Sequence, residues 1–501
     1  MKKHCLRAMC VLLALFSLLL TLAACGENTT EQPSATTAQT TGNQDPAQTT
    51  PTVDKNGFLL DSLPESFDTK METTKLLYWK DAENTEYKVD SLSGSDIIAN
   101  SLFTRNAAVQ RRMDVDLEFY PVSGNYNNAS NFTTTLFTAV NAGTKYDIVS
   151  TYSMVQAICA RDGLLADLTG TYLDVTKPWW PTSITEGLKI GDALYFATGD
   201  ASINTLYMMY CCYFNKSLLE SYHPDLDIYA LVEDGNWTFD QMLELIQGVY
   251  SDGGDTGKDA KGDTFGVIGN TLYSSAMIEA FGFREIENVD GSLAVSTQWA
   301  SEDVETAIVS IQNMFNSEFA ISAETADVRD GFKTGRSMFA ILYADQAAKR
   351  FSKEQNLSYG VVPLPKLNTQ QASYITPVAN PASFYGIAVN SEDVSFASAV
   401  LECWASEGYR QVSPTLFEKC FKLKYSADDK NALMYDYIRN GMQFSMARLF
   451  TLASNKEIVS FTLAPKIDGE LVNWLTLTAS KENGMYSSVR QLTSYFENLA
   501  Q

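Results

Sequence analysis

Trp79, Thr151 with Tyr152, Asn270 with Tyr273, Tyr343 with Asp345, and Ser383 with Phe384 and Tyr385 stand at the ends of runs that read as β-strands. Asp200 falls at a connection between two groups of strands, and Tyr207 begins the next apolar run. The set interleaves aromatic faces with neutral or acidic hydrogen-bonding groups. Sugars present C–H faces that lie on aromatic rings and hydroxyls that need fixed donors and acceptors, so this composition suits a carbohydrate. Each residue alone is as well explained by packing, because a chain with 25 tyrosines and 26 phenylalanines places aromatics at many strand ends. Trp179 and Trp180 in "KPWWP" read as packing residues. Arg448 in "GMQFSMARLF" is a candidate cap residue with no spacing argument behind it.

Other chemistries lack their parts. His223 is the only histidine beyond the first 25 residues, so zinc sites and histidine-dependent nucleophilic catalysis are not expected. Cys159, Cys211, Cys212, Cys403 and Cys420 are odd in number and cannot all pair. Cys211 and Cys212 adjoin on a strand-like run, point to opposite faces, and read as small hydrophobes. "SDGGDTGKDAKGD" lacks the residue order of a calcium loop. No catalytic residue, metal or cofactor is assigned. With 60 acidic against 37 basic residues, nucleic acid and anionic headgroups are poor partners.

The elements that must position the candidate residues follow from hydrophobic periodicity. "TKLLYWK", "VDLEFYPV" and "YDIVSTYS" read as strands separated by two helices, the first capped at Ser95 and the second closing on Gly143. That order implies right-handed crossovers and a largely parallel sheet. "LKIGDALYFATGD" reads as a hairpin turning at Gly191-Asp192, "LYMMYCCYFNKSLLES" as a buried strand running into a helix, and "NWTFDQMLEL" as a helix capped by Thr238. "DVETAIVSIQNMFN" is an amphipathic helix; "GRSMFAILYAD", "YGVVPLP" and "SFYGIAVN" are strands. From Phe396 onward the pattern is mainly helical.

The N-terminal segment has its own logic. Lys2, Lys3 and Arg7 precede the apolar "MCVLLALFSLLLTLAA", the layout of a secretory signal and shorter than a membrane span. Leu22-Ala23-Ala24-Cys25 resembles the bacterial lipobox, which implies lipidation of Cys25. Residues 26–56 contain almost no large apolar side chain and are expected to form a disordered tether with a reach of roughly 30 Å.

"LLYWK", "AGTKYDIVSTYS", "GLLADLTGTYLD", "IGDALYFATGD", "YCCYFNKSLLES", "NWTFDQMLEL", "FKTGRSMFAILYADQ", "YGVVPLPK" and "ASFYGIAVN" stand in the order found in family 1 extracellular solute-binding proteins, which include maltose-binding protein. The chain resembles that family over about residues 70 to 501. The polar stretch Ser123 to Asn131 and the long helical C-terminal section depart from it. The resemblance implies an α/β fold of two hinged lobes, a periplasmic-binding-protein-like type II architecture with ligand in the cleft between them. It divides the chain into a signal peptide (1–24), the lipidated cysteine and tether (25–56), a first lobe (57–200 and 363–420) and a second lobe (201–362 and 421–501). Crossings are expected near Gly199 to Ser202, Val362 to Pro365 and Cys420 to Lys424. It further implies a monomer on the extracellular face of the bacterial cytoplasmic membrane, held by its lipid anchor only. There it would bind a carbohydrate, most simply an oligosaccharide, and deliver it to ABC transporter permease subunits. Two alternatives stand beside this: the same fold binding a peptide or polyamine, and a surface glycoside hydrolase using two carboxylates about 5 to 10 Å apart.

Overall fold

The computed structural model describes residues 52–254, 257–289, 291–426, 428–451 and 473–499. The signal-like segment, Cys25 and most of the tether lie outside the described residues. A first sheet is built from β1 (Thr73–Trp79), β2 (Asp116–Val122), β3 (Ile148–Tyr152) and β13 (Ser383–Ile387), in the order β13-β3-β1-β2. β1 runs parallel to both β2 and β3, and the late strand β13 adds antiparallel to β3. Helices Ile97–Met113 and Ala129–Ala142 make the crossovers. The first begins one residue later than expected. Asp96 caps it rather than Ser95, because its carboxylate accepts the N–H groups of both Ile98 and Ala99 at 3.0 Å. The second ends at Gly143, whose φ of 79° is the left-handed C-cap conformation.

The second sheet holds β4 (Tyr210–Asn215), β5 (Tyr250–Ser251), β6 (Thr264–Gly269), β9 (Ala320–Ser322), β10 (Ser337–Tyr343) and β11 (Tyr359–Val362). Its order is β11-β4-β10-β6-β5, with β9 also on β6. Every residue of β4 is buried, Cys211 and Cys212 included, which is why its sequence is a continuous apolar run with no alternation. All five cysteines from Cys159 onward are free, buried thiols. Thr238 caps helix Phe239–Ile246 as expected, accepting the Gln241 N–H at 3.3 Å. In the aspartate-rich loop before β6, Asp263 accepts the N–H groups of Gly253 (2.8 Å) and Asp259 (3.1 Å), so this carboxylate fastens the loop. A hairpin of β7 (Ile286–Val289) and β8 (Ser292–Val295) follows, and β12 (Thr376–Pro377) pairs with β14 (Met442–Gln443). Among the described residues no helix is long and apolar enough to cross a membrane.

Several expectations about connections are corrected. The hairpin at Gly191-Asp192 is reduced to one bridge, Ile190 to Ala193; its second arm instead bridges Tyr385 through Ala197. Tyr207 does not begin a strand. Ser202 accepts the Thr205 N–H and starts a short helix, Ile203–Tyr207, so the strand opens three residues later. The chain passes between sheets at Met208-Met209 and returns beside it, Met209 bridging Val378. Residues after Val362 stay with the second sheet longer than the 362/363 boundary assumed: Trp237 Nε1 donates to Pro363 O, and Tyr374 hydroxyl to Val232 O.

A third passage is helical. Helix Val394–Glu407 packs on Ile97–Met113, and a π-helical continuation, Thr415–Lys424, leads to helix Asp429–Asn440 against β11. Gly408 is required where this run meets the first connection, since a Cβ there would lie 2.1 Å from the Asp200 carbonyl oxygen. Nor are residues 421–501 confined to the second lobe. Helix Trp474–Leu499, about 39 Å long at 1.5 Å per residue, begins against Trp299 (ring centroids 5.2 Å) and ends with Phe496 on Tyr195 (5.2 Å), touching both lobes.

Candidate functional site

The C-terminal ends of β3 and β10 approach one another across the interlobe space, where a cleft of ≈ 330 Å³ opens. Tyr126, Tyr152 and Met154 line it from the first lobe, and Tyr210, Leu272, Ser275 and Tyr343 from the second. The returning connection Ala379–Pro381 forms one wall, with Arg448 beside it. Tyr152 is 9% exposed and sits edge-on to Trp79, ring centroids 5.6 Å apart. Tyr210 and Tyr343 are register partners across β4 and β10, their rings edge-on at 68° with centroids 5.0 Å apart. Asn380 is buried; its side chain reaches Met154 Sδ through Nδ2, while Oδ1 has no protein partner. That oxygen is shielded from solvent as well, an unsatisfied acceptor within the cleft wall.

Tyr126 is carried by the polar stretch Ser123–Asn131. Asp81 accepts the Gly124 N–H (2.9 Å) and Asn128 Nδ2 (3.1 Å), and Asn125 accepts the N–H groups of Asn127 and Asn128. The segment is thus a tightly bonded turn that holds a half-exposed tyrosine at the cleft mouth.

Arg448 lies on helix Met446–Phe450, started by Ser445, which packs on helix Ser153–Arg161 of the first lobe. Its guanidinium donates through Nη2 to Glu279 of the second lobe and through Nη1 to the Tyr210 hydroxyl at 3.4 Å. Burial alone would lower its pKa, but Glu279 and Tyr210 outweigh that and keep it charged. Glu285, behind it, is pushed up to about 7, by burial first and then by Glu279.

Of the residues singled out by the sequence, Tyr152 and Tyr343 meet in this cleft. Tyr273 lies on helix Thr271–Ala280, which brings Leu272 and Ser275 to the cleft; its own side chain lies outside the described residues. The others are placed elsewhere, held by bonds and packing within the protein. Trp79 Nε1 donates to Ser383 Oγ (3.0 Å), Thr151 Oγ1 to Gly124 O (3.1 Å), and the Tyr385 hydroxyl to Glu86 (3.2 Å). Phe384 packs between Phe196 and Phe444. Asn270 accepts the Leu272 N–H (3.0 Å) and bonds Thr325, opening the helix that carries Ser275. Asp200 pairs with Arg439 at 2.9 Å beside the connection, and Tyr207 faces a second, more polar groove with Asp96, Cys420 and Tyr425. Strand ends alternate faces, so position alone does not tell cleft from core.

Asp345 is fully buried and pairs with Lys349 at 2.7 Å; Lys349 also reaches Glu83 of the first lobe at 3.0 Å. This bridge spans the lobes, and its Glu83 arm is solvent-exposed, worth about 0–1 kcal/mol. Glu83→Gln is therefore expected to weaken ligand binding by less than about fivefold. Small-angle scattering of the ligand-free variant should give a larger radius of gyration than wild type; an unchanged radius would show that the bridge does not bias closure.

No protein-family model and no curated protein matches the chain. Solved structures do. The chain is similar to a cyclo/maltodextrin-binding protein complexed with maltotetraose (14% identity, TM-score 0.54, covering 85% of this chain and 97% of that one). It is similar to the cyclic alpha-maltosyl-1,6-maltose binding protein of Arthrobacter globiformis (13%, TM-score 0.53, 85% and 100%) and to UgpB of Mycobacterium tuberculosis in complex with glycerophosphocholine (15%, TM-score 0.52, 78% and 95%). The fold is therefore the two-lobed α/β architecture of solute-binding proteins. Its particular form is the maltose-binding-protein-like one, as the order of the sequence segments implied.

Proposed function

We propose that this chain is an exported, lipid-anchored solute-binding protein that takes an oligosaccharide into the cleft between its lobes and delivers it, unaltered, to the membrane subunits of an ABC importer. The observation that carries this reading is the cleft's make-up. Tyr126 and Tyr152 of one lobe face Tyr210 and Tyr343 of the other, with Asn380, Ser275 and Arg448 among them. Rings offer surfaces for sugar C–H faces, and the polar groups offer both acceptors and donors. Two of the comparison proteins are sugar binders by name, in keeping with this. The glycerophosphocholine complex has the same fold, so cleft chemistry, not fold, bears the weight.

The alternatives fit less well. A polyamine would meet Arg448, the one charged side chain among the described lining residues, as a repulsive neighbour. Glycoside hydrolysis uses two carboxylates, and the described lining residues include none. A thermal-shift screen against a glycan panel tests the reading, since a ligand at about 100 times its dissociation constant stabilises by about 2.7 kcal/mol. Stabilisation without product on chromatography supports it; release of shorter sugars contradicts it.

Anchoring gives an independent prediction. Cys25→Ala should abolish incorporation of labelled fatty acid and move the protein out of the membrane fraction, leaving its thermal midpoint unchanged. Undiminished incorporation in the variant would rule out the lipobox.

A further inference from the structure

We infer that the sugar carries an anionic group, a carboxylate as in a uronic acid, and that Arg448 is the residue that selects it. The inference rests on the sugar-binding reading above and narrows it. Arg448 lines the cleft while its counter-ion, Glu279, is not among the lining residues. Arg448 is 7% exposed, and a buried guanidinium facing a ligand site donates strongly to a forked anion.

The surroundings leave positive charge to be matched. Arg284 and Arg448 stand against Glu279 and Glu285, and Ser445 faces Glu285 at 3.4 Å. Arg284 spends its donors on Gln443 and on the carbonyls of Glu279 and Phe283. Glu285 is held toward its neutral form near pH 7. At pH 7 a carboxyl titrating at about 7 is half ionised, so the two arginines face about one and a half negative charges, inside a protein of formal net charge −23. The cleft thus presents one guanidinium and no carboxylate among its described lining residues, an arrangement complementary to an anionic solute group.

Isothermal titration with matched trisaccharides tests this: trigalacturonate, its methyl ester, a sulfated trisaccharide and neutral maltotriose and cellotriose. Trigalacturonate should bind at least about tenfold tighter than its methyl ester or either neutral sugar, with affinity falling as salt is raised. A sulfated sugar preferred over the uronate would overturn the carboxylate assignment. In the double variant Arg448→Gln/Glu279→Gln, which removes both members of the ion pair together, the preference should collapse to about unity, and Arg448→Lys should retain part of it. A preference that survives in the folded double variant overturns the role of Arg448. Neutral sugars binding as well as the uronate overturn the inference while the sugar-binding reading stands. If none of these sugars binds, both fall.

Discussion

Glu402→Ala is expected to cost about 3 to 5 kcal/mol of folding stability at pH 5, and about 3 kcal/mol less at pH 8. Glu402 lies on helix Val394–Glu407 and is 1% exposed. It accepts the indole N–H of Trp179 at 2.9 Å, that of Trp180 at 2.7 Å, and the Asp174 N–H at 3.2 Å. Both tryptophans are fully buried, so the paired indoles of "KPWWP" are packing residues whose polar edges share one carboxyl. Removing it strands two buried indole donors, each costing about 1–3 kcal/mol, and the part-buried Asp174 N–H, offset in part by relaxation.

The pH dependence follows from the carboxyl itself, pushed from 4.5 up to about 7 by burial, against the pull of the donors. Between those values the folded state holds a proton that the unfolded chain has lost. The group's stabilisation is complete below about 4.5 and fades as pH rises to 7, a change of about 3 kcal/mol. Alanine has no such term, so the gap between the two proteins narrows with rising pH. Glu402→Gln keeps one acceptor and does not titrate; its own stability profile should lose this decline. Urea midpoints at pH 5 and pH 8 check the prediction, and an equal gap at both would contradict the buried-carboxyl account.

The second large effect is on binding. Tyr152→Ala and Tyr343→Ala should each weaken oligosaccharide affinity by about 1 to 3 kcal/mol, roughly 5- to 150-fold, through loss of a ring surface and its buried area. Tyr152 also packs on Trp79, so its alanine variant should lose some folding stability as well. The phenylalanine variants separate the two causes. Tyr152→Phe and Tyr343→Phe retain the ring and should recover most of the affinity by calorimetry. A phenylalanine variant as weak as alanine would assign the contact to the hydroxyl instead.

The sheets were legible because their strands are long apolar runs with clear breakers, and Thr238 was legible as a cap because its role is local. Ser95 and Asp96 are both good caps, and sequence does not say which carboxylate or hydroxyl reaches the free N–H groups. "INTLYMMYCCYF" hides a helix-to-strand change inside one apolar stretch, where periodicity does not distinguish the two. The cleft was half legible. Tyr152 and Tyr343 end strands and face it; Trp79 ends one and Ser383 opens one, but the two donate and accept between themselves. Tyr126 had a signal, an aromatic within an otherwise polar stretch. Arg448 was named without an argument because its place depends on Glu279 and Tyr210, more than 160 residues away in the chain.

The most direct test of the central claim is a crystal structure of the protein with the oligosaccharide that most raises its thermal midpoint. The account predicts sugar rings between Tyr152 and Tyr343, and both lobes in contact with one ligand. A sugar bound instead in the groove beside Tyr207, or on one lobe's outer face with the tyrosine cleft unfilled, would contradict it.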